Sequence, residues 1–227
     1  LISVARWAVG WTAAYSVIRA GTNLIRTSVS DMLKLEEQIA RAVSASRVER
    51  GGIMTAQQAS QIRNIYTREL TSLLRDTSVS AQDAGTALYQ LASAGLTANE
   101  AISALEPVLD LSVATFGDLE QGARLVSSVY RVFESQFTQF ANKREPFTHI
   151  SDVIVTAYNQ EQIELSELSS ALEYVANTAG KTEMSFEELI ATIGFLGTGM
   201  LRGSRAGTDL MNFFSDVIKK ADVVKEK

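Results

Sequence analysis

The sequence predicts an all-α protein of about eight or nine helices. Three observations carry this prediction: Ala, Leu, Ser and Glu are abundant, aromatic residues make up only 7% of the chain, and only Pro107 and Pro146 interrupt it. This composition favours helices over strands, which are enriched in β-branched and aromatic residues. The 227 residues are enough to bury a large core in one or two domains.

The N-terminal third of the chain is predicted to consist of long amphipathic helices. Apolar residues at helical spacing predict a helix over residues 1–29, with a broad apolar face that includes Trp7 and Trp11. Gly51-Gly52 is predicted to end the following helix, because glycine readily takes the left-handed conformation of a C-cap. We therefore expect residues 1–76 to form a helical lead-in.

Residues 77–221 are predicted to form a globular domain of shorter helices, and residues 222–227 are predicted to begin a charged continuation. Several of these helices begin with a hydroxyl residue followed three positions later by an acid, which is the pattern of a capping box. The predicted caps are Ser80, Thr97 and Ser185, and the matching acids are Asp83, Glu100 and Glu188. Gly95 is predicted to close the helix that Ser80 opens.

In the middle of the domain, proline and glycine residues predict where helices begin and end. Pro107 divides or starts a helix, and Gly117-Asp118 begins a long helix that passes through Phe137 and ends near Pro146. Two further helices are predicted over His149 to Tyr158 and over Ser166 to Ala179.

A weak internal repeat appears when the chain is shifted by 105 residues. The shift superposes one capped helical hairpin on another, at Ser80 and Ser185, Asp83 and Glu188, Leu88 and Ile193, Leu91 and Leu196, and Ala101 and Ala206. Shared amphipathic patterning or duplication would each produce such a match.

Composition excludes most familiar kinds of site. The chain has no cysteine and one histidine, His149, so cysteine-based zinc sites, thiol nucleophiles and two-histidine metal sites are ruled out within it. We interpret His149 as a surface or helix-start residue and expect no metal and no cofactor.

Charge is unevenly distributed along the chain. Residues 1–75 hold ten basic and five acidic side chains, whereas residues 76–227 hold eleven and twenty-one. The basic N-terminal residues 1–75 would attract nucleic acid, anionic lipid or an acidic protein, or form a solvated helix face. Only twelve uncharged residues separate Arg6 from Arg19, which is too short a run to span a bilayer. Because the sequence begins at Leu1 within a helical pattern, we expect it to be part of a longer protein.

The stretch GTGMLRGSRAGTDL at residues 197–210 resembles a phosphate-binding loop in its glycine content. It lacks Gly-Lys-Ser/Thr and the dinucleotide spacing, and no strand precedes it, so nucleotide binding is not predicted. Its glycines instead predict a hinge between helices ending near Leu196 and beginning near Ala206, with close backbone packing. These hinge and packing glycines are Gly197, Gly199, Gly203 and Gly207; Arg202 and Arg205 beside them would bind acidic helix faces or local carbonyls, or face water.

Two other clusters have structural interpretations. The carboxylates Glu161, Glu164, Glu167 and Glu173 would act as an acid and base pair only if two of them converged in a cleft, and a solvated acidic face is the expected alternative. The aromatic residues Tyr130, Phe133, Phe137 and Phe140 follow helical spacing and predict a packing stripe, either in the core or between subunits.

Five short sequences, taken in order, resemble the core domain of phage tail tape measure proteins. They are LYQLASAGLTANE (88–100), ISDVIVTAYN (150–159), LSEL (165–168), ALEYVA (171–176) and GSRAGTDL (203–210). The resemblance covers about residues 70–218, and none of its positions is a catalytic residue of the family.

This resemblance implies a structural virion protein in the lumen or tip of the tail. Such a protein templates tail assembly and length and is released at genome ejection, and the host cytoplasm holds it during assembly. The implied partners are three or six copies of itself around the tail axis, tail tube proteins and tail tip or baseplate hub proteins. Assembly chaperones and a transient contact with membrane or DNA are further possibilities, and no small-molecule substrate is implied. Contacts between copies are predicted at Trp7, Trp11, Tyr130, Phe133 and Phe137.

Two alternatives come from other classes of protein. A non-catalytic helical-repeat adaptor or scaffold of cellular origin would share the composition but show a regular repeat period. An enzyme that degrades peptidoglycan would require a paired-carboxylate cleft or a metal site, with Glu161 or Glu164 as the residues to test.

Overall fold

The computed structural model describes residues 32–47, 53–76, 79–161, 163–182 and 184–225. In these residues the chain forms nine α-helices and no strand, which confirms the predicted all-α class. The helix predicted over residues 1–29, with Trp7 and Trp11, and the stop predicted at Gly51-Gly52 lie outside the described residues.

The helices follow one another with short connections. They are α1 (32–45), α2 (Ala56–Asp76), α3 (Ala81–Ser93), α4 (Ala98–Thr115), α5 (Leu119–Val132), α6 (Glu145–Glu161), α7 (Leu165–Ala179), α8 (Phe186–Thr198) and α9 (Gly203–Lys225). A short 3-10 turn, Glu134–Phe137, lies between α5 and α6.

Side-chain caps set the starts of three helices. The hydroxyl oxygens of Ser80, Thr97 and Ser185 accept hydrogen bonds from backbone N–H groups three residues later, at 3.0, 3.4 and 3.1 Å. At Thr97 and Ser185 the acid at the third helical position also accepts a bond from the N–H of the capping residue. These bonds satisfy N–H groups that have no partner within the helix.

Pro107 does not divide or start a helix, contrary to the prediction. It lies buried inside α4, which runs without interruption from Ala98 to Thr115. A proline removes one backbone hydrogen bond and disturbs the preceding turn. The neighbouring residues Ala104 and Val108 are fully buried, so apolar packing on both sides holds the helix together.

The prediction of one long helix that ends near Pro146 is also wrong. Helix α5 ends at Val132, because Phe133 leaves the helical conformation (φ −107°) and turns its ring into the core. Pro146 is the second residue of α6. Proline is tolerated in a first turn, since the N–H groups there have no helical acceptor.

A continuous core of buried apolar side chains runs through all nine helices. It includes Ile39 and Val43 of α1 and the fully buried Tyr66 and Leu70 of α2, so the described part of the lead-in packs onto the rest of the chain. The division at residue 76 remains a prediction, and the residues on its two sides share this core.

In the structure the two repeated hairpins share the length of their first helix and of the corner that follows it. Helices α3 and α8 each contain 13 residues, and four residues separate each from the next helix. The second of those four residues has a left-handed backbone in both hairpins: Gly95 (φ 87°) and Met200 (φ 67°). The shift of 105 residues therefore superposes whole structural elements as well as single residues.

Candidate functional site

The glycine hinge predicted from the sequence is a compact corner between α8 and α9. Helix α8 continues to Thr198 and α9 begins at Gly203, so the corner is shorter than the predicted stretch from Leu196 to Ala206. The N–H groups of Gly199 and Leu201 both donate to the carbonyl oxygen of Leu196, at 3.0 and 3.1 Å. These amides close the end of α8, whereas a phosphate loop would present them to an anion.

Arg202 fastens the corner to the start of α7. Its Nε donates to the carbonyl oxygen of Gly197 at 3.2 Å, and its Nη1 lies 3.3 Å from Oε2 of Glu167. The same carboxylate oxygen accepts a bond from the N–H of Glu164 at 3.2 Å. Arg202 therefore acts on a local carbonyl and an acidic helix end together, while Arg205 is exposed.

Gly207 brings the backbones of α7 and α9 into contact. A Cβ atom at this position would overlap the carbonyl oxygen of Ala171 and would lie 2.9 Å from its Cα. Gly203, with a left-handed φ of 55°, lies beside Glu167, one turn earlier on α7. Since both contacts advance in the same direction, the two helices run parallel, and at Gly207 only glycine allows so close an approach.

The other hinge glycines have less demanding surroundings. A Cβ at Gly199 would lie 3.4 Å from the carbonyl oxygen of Leu196, three residues earlier in the chain. Gly199 lies in the corner and is not part of α9. A Cβ at Gly197 would lie 3.9 Å from Cγ of Arg202, an ordinary contact. Close helix packing is therefore concentrated at Gly207, whereas at Gly203, where a Cβ would lie 3.9 Å from Ser170, it is the left-handed backbone that favours glycine.

The aromatic stripe lies in the chain's own core, which corrects its proposed role between copies. Phe133 and Phe137 are almost fully buried, and Tyr130 is partly buried. The Phe133 ring packs on Phe186 at 5.8 Å and the Tyr130 ring on Phe147 at 4.5 Å between centroids. The three residues do not share one straight helix, because α5 ends before Phe133, and the following turn folds the rings inward.

His149 links α6 to α8. Its Nε2 lies 2.5 Å from Oε1 of Glu187, and its ring lies 5.4 Å from that of Phe140. Burial raises the pKa of Glu187, but hydrogen bonds from its own N–H, from His149 and from Ser185 outweigh burial and hold that pKa below the usual value. The pair is a link between helices on a partly exposed surface.

The carboxylates considered for acid and base chemistry have structural partners. Glu164 and Glu167 form a capping box at the start of α7, which the sequence analysis did not identify although the two acids have the required spacing. Glu161 packs its side chain against Gly194 of α8, and Glu173 is exposed on a groove of about 910 Å³ between α5 and α7. In that groove Arg124 pairs with Glu120.

No cluster of three metal-ligating side chains occurs within the described parts of the chain. None of the helices described there has an apolar run long enough to cross a bilayer.

Two polar side chains that the sequence analysis missed join distant elements. Gln136 donates to the carbonyl oxygen of Met184 at 3.0 Å and accepts from the N–H of Phe186 at 3.2 Å. Arg131 donates to the carbonyl oxygen of Ala94 at 2.8 Å and covers Gly95. No local sequence pattern predicts either contact, because each partner is more than 35 residues away in sequence.

The arrangement is that of a helical packing module, in which the distinctive residues cap helices and bring backbones together. Residues 55–227 match the family described as phage-related minor tail protein. The tape measure protein of Pneumococcus phage Dp-1 is 30% identical over 174 residues, which are 77% of this chain and 14% of that protein. The probable tape measure protein of Escherichia phage P2 is 33% identical over 134 residues, or 59% of this chain and 16% of that protein. No solved structure gives a significant match.

Because the match covers more than half of its length, the chain belongs to the family of phage-related minor tail proteins. The two relatives named as tape measure proteins confirm the resemblance drawn from residues 70–218. The chain spans about one seventh of the length of these relatives.

Proposed function

We propose that this chain is a folded domain of a phage tail tape measure protein. The observation that carries the proposal is the family match over residues 55–227, which takes in helices α2 to α9 and the glycine hinge. In this role the whole protein sits in the tail lumen or tip, sets tail length during assembly and leaves at genome ejection. The host cytoplasm holds it before assembly.

The domain is a compact part of that protein rather than the ruler itself. A continuous helix rises about 1.5 Å per residue, so an extended helical chain converts residue number into length. Here nine short helices fold onto one core, and the chain doubles back at each hairpin. The residues that measure length are therefore expected outside the segment described here, which supplies a folded unit at one place along the tail.

The domain is proposed to act through contacts and without a catalytic step or cofactor. Its partners are three or six copies of itself, tail tube proteins and tail tip or baseplate hub proteins, with assembly chaperones before the tail is complete. Transient contact with membrane or DNA belongs to ejection. The rings of Phe133 and Phe137 are buried in the chain's own core and are not available for contacts between copies.

A deletion series in the phage genome tests the ruler function. Removing about one hundred residues of helical sequence outside this domain should shorten the tail by about 150 Å, measured by electron microscopy of purified particles. Tails of unchanged length would overturn the proposal.

A second arm tests the domain itself. Gly207→Val in the phage genome should abolish assembled tails, because the side chain cannot fit against the α7 backbone. The matched control is Gly122→Ala, where a Cβ would make only ordinary contacts at 3.8 and 3.9 Å, and it should leave tails normal. Normal tails with Gly207→Val would show that this packing is not needed for assembly.

A further inference from the structure

Several helix starts and ends meet at one end of the molecule. Leu35 and Gln38 of α1 lie beside Gly85 of α3, and the N–H of Arg47 donates to the carbonyl oxygen of Leu96 at 3.3 Å, so α1 runs parallel to α3. Helix α4 returns antiparallel to α3, and its end therefore lies near the start of α1.

The starts of α7 and α9 lie at the same end. Leu165 at the start of α7 contacts Gly117, just after α4, and Arg202 before α9 contacts Glu167. We call this the open end; it includes the described start of α1, the starts of α3, α5, α7 and α9, and the ends of α4, α6 and α8.

Exposed apolar side chains are concentrated at the open end. Of the ten large apolar side chains exposed in the described residues, six lie there: Met32, Leu33, Val113, Phe116, Phe195 and Met200. Phe116 is 92% exposed and Met200 is 89% exposed. Clusters of exposed apolar side chains mark contact surfaces, whereas scattered ones do not.

The backbone at Phe116 and Met200 gives an independent reason to expect a contact. They are the only non-glycine residues in the described ranges with a left-handed backbone, at φ 49° and 67°. Glycine would adopt this conformation at a lower free energy, by about 1 kcal/mol, and Gly95 does so at the corresponding corner of the first hairpin. Folding of the described helices alone thus does not account for a large apolar side chain at either position.

The chain itself offers a segment of matching chemistry. Residues 1–30 contain Arg6, Arg19 and Arg26 and no acidic residue, together with apolar side chains that include both tryptophans. The open end carries the exposed carboxylates of Asp118 and Glu164 beside its apolar side chains. The described part of α1 begins at residue 32, at the open end, so residues 1–31 join the described helices there.

We propose that residues 1–31 dock on the open end of the same chain and cover Phe116 and Met200. Apolar contact supplies the stabilisation, and the three arginines face the acidic rim. As a helix, 30 residues would be about 45 Å long, enough to cross the end of a domain of this size. This inference concerns the chain's own folding and does not depend on its role in the tail.

Tryptophan fluorescence tests the proposal directly, because Trp7 and Trp11 are the only tryptophans in the chain. In the unaltered chain the emission maximum should be at a shorter wavelength than that of solvent-exposed tryptophan. Phe116→Gly and Met200→Gly, singly and together, should move it to longer wavelength. Glycine suits the left-handed backbone, so the variants should still unfold cooperatively, which shows that the described helices remain folded when the segment is released.

The control variant is Ile53→Ser, which removes an equally exposed apolar side chain just before α2, far from the open end. It should leave the emission unchanged. The proposal is overturned if the glycine variants do not move the emission, or if the unaltered chain already emits like exposed tryptophan. A short-wavelength emission that is lost on dilution to the monomer, with light scattering as the measure of mass, would assign the segment to a second copy and would also overturn it.

Discussion

The hairpins α3–α4 and α8–α9 share their local design and differ in their surroundings. Both begin at a capping serine, and both turn through a four-residue corner with a left-handed second residue. In the first hairpin Val108 is fully buried, whereas Phe213, its equivalent in the second, is 61% exposed. Arg131 covers the first corner at Gly95, whereas Met200 at the second corner is exposed.

This difference separates two effects of sequence. Caps and left-handed corners fix where helices begin and end, because they satisfy backbone groups within a few residues. Neighbouring helices decide which faces are buried. The first hairpin is packed by α2, α5 and α6, while α9 packs mainly on α7 and leaves Phe213 and Val217 exposed. The second hairpin therefore leaves an apolar face of α9 for other contacts, in addition to the exposed side chains of the open end.

The largest effect is expected where the second hairpin meets its main partner. Gly207→Ala should destabilise the chain by about 2–3 kcal/mol, because the new Cβ overlaps the α7 backbone and the helices have to separate. Gly122→Ala in α5, whose Cβ has room, should instead stabilise the chain by about 0.5–1 kcal/mol through helix propensity. Denaturant unfolding of the two variants measures both changes.

The opposite signs make this pair informative. If Gly207→Ala gained stability as Gly122→Ala does, α7 and α9 would not be in backbone contact. The parallel pairing on which the second hairpin depends would then be incorrect.

Much of the fold could be predicted from local sequence. Capping boxes located the starts of α3, α4 and α8, since a hydroxyl and an acid three residues apart act within one turn. The predictions failed at Pro107 and at the end of α5, where distant packing decides. Proline stays inside α4 because its neighbours are buried, and Phe133 leaves the helix because its ring packs on Phe186.

The hinge could be predicted only in part. Its glycine spacing indicated close backbone packing, but no local pattern shows that Ala171 is the partner of Gly207. The roles of Arg131 and Gln136 were not predictable either, because each binds a carbonyl group that only the tertiary fold brings near. Long-range partners of this kind require the three-dimensional arrangement.

A smaller effect is expected at the two corners. Gly95→Ala should cost about 1–2 kcal/mol, because an alanine is strained at φ 87° and its Cβ would displace the Arg131 guanidinium. The control is Gly199→Ala, which gives the second corner the alanine that the first has at Ala94. Its Cβ would meet the Leu196 carbonyl oxygen at 3.4 Å, and the change in unfolding free energy should stay within about 0.5 kcal/mol. Equal losses in thermal unfolding would mean that the two corners do not differ as described.

The smallest effect concerns the first turns of α3 and α8, where Gln82 and Glu187 are equivalent. Glu187→Gln gives α8 the neutral residue of α3 and should destabilise the chain by no more than about 0.5 kcal/mol near neutral pH, since the pair with His149 is partly exposed.

The effect of Glu187→Gln should depend on pH. The folded state lowers the pKa of Glu187 below its ordinary value of 4.5, because its hydrogen bonds outweigh the opposing effect of burial. The stabilisation is therefore present above that ordinary value and is lost as the pH falls through the lowered pKa. Unfolding free energies of the chain and of the variant should differ near neutral pH and converge in acid. If the two unfolding free energies still differed in acid, the difference would come from the shape of the side chain and not from its charge. The charge of Glu187 would then not distinguish the first turn of α8 from that of α3.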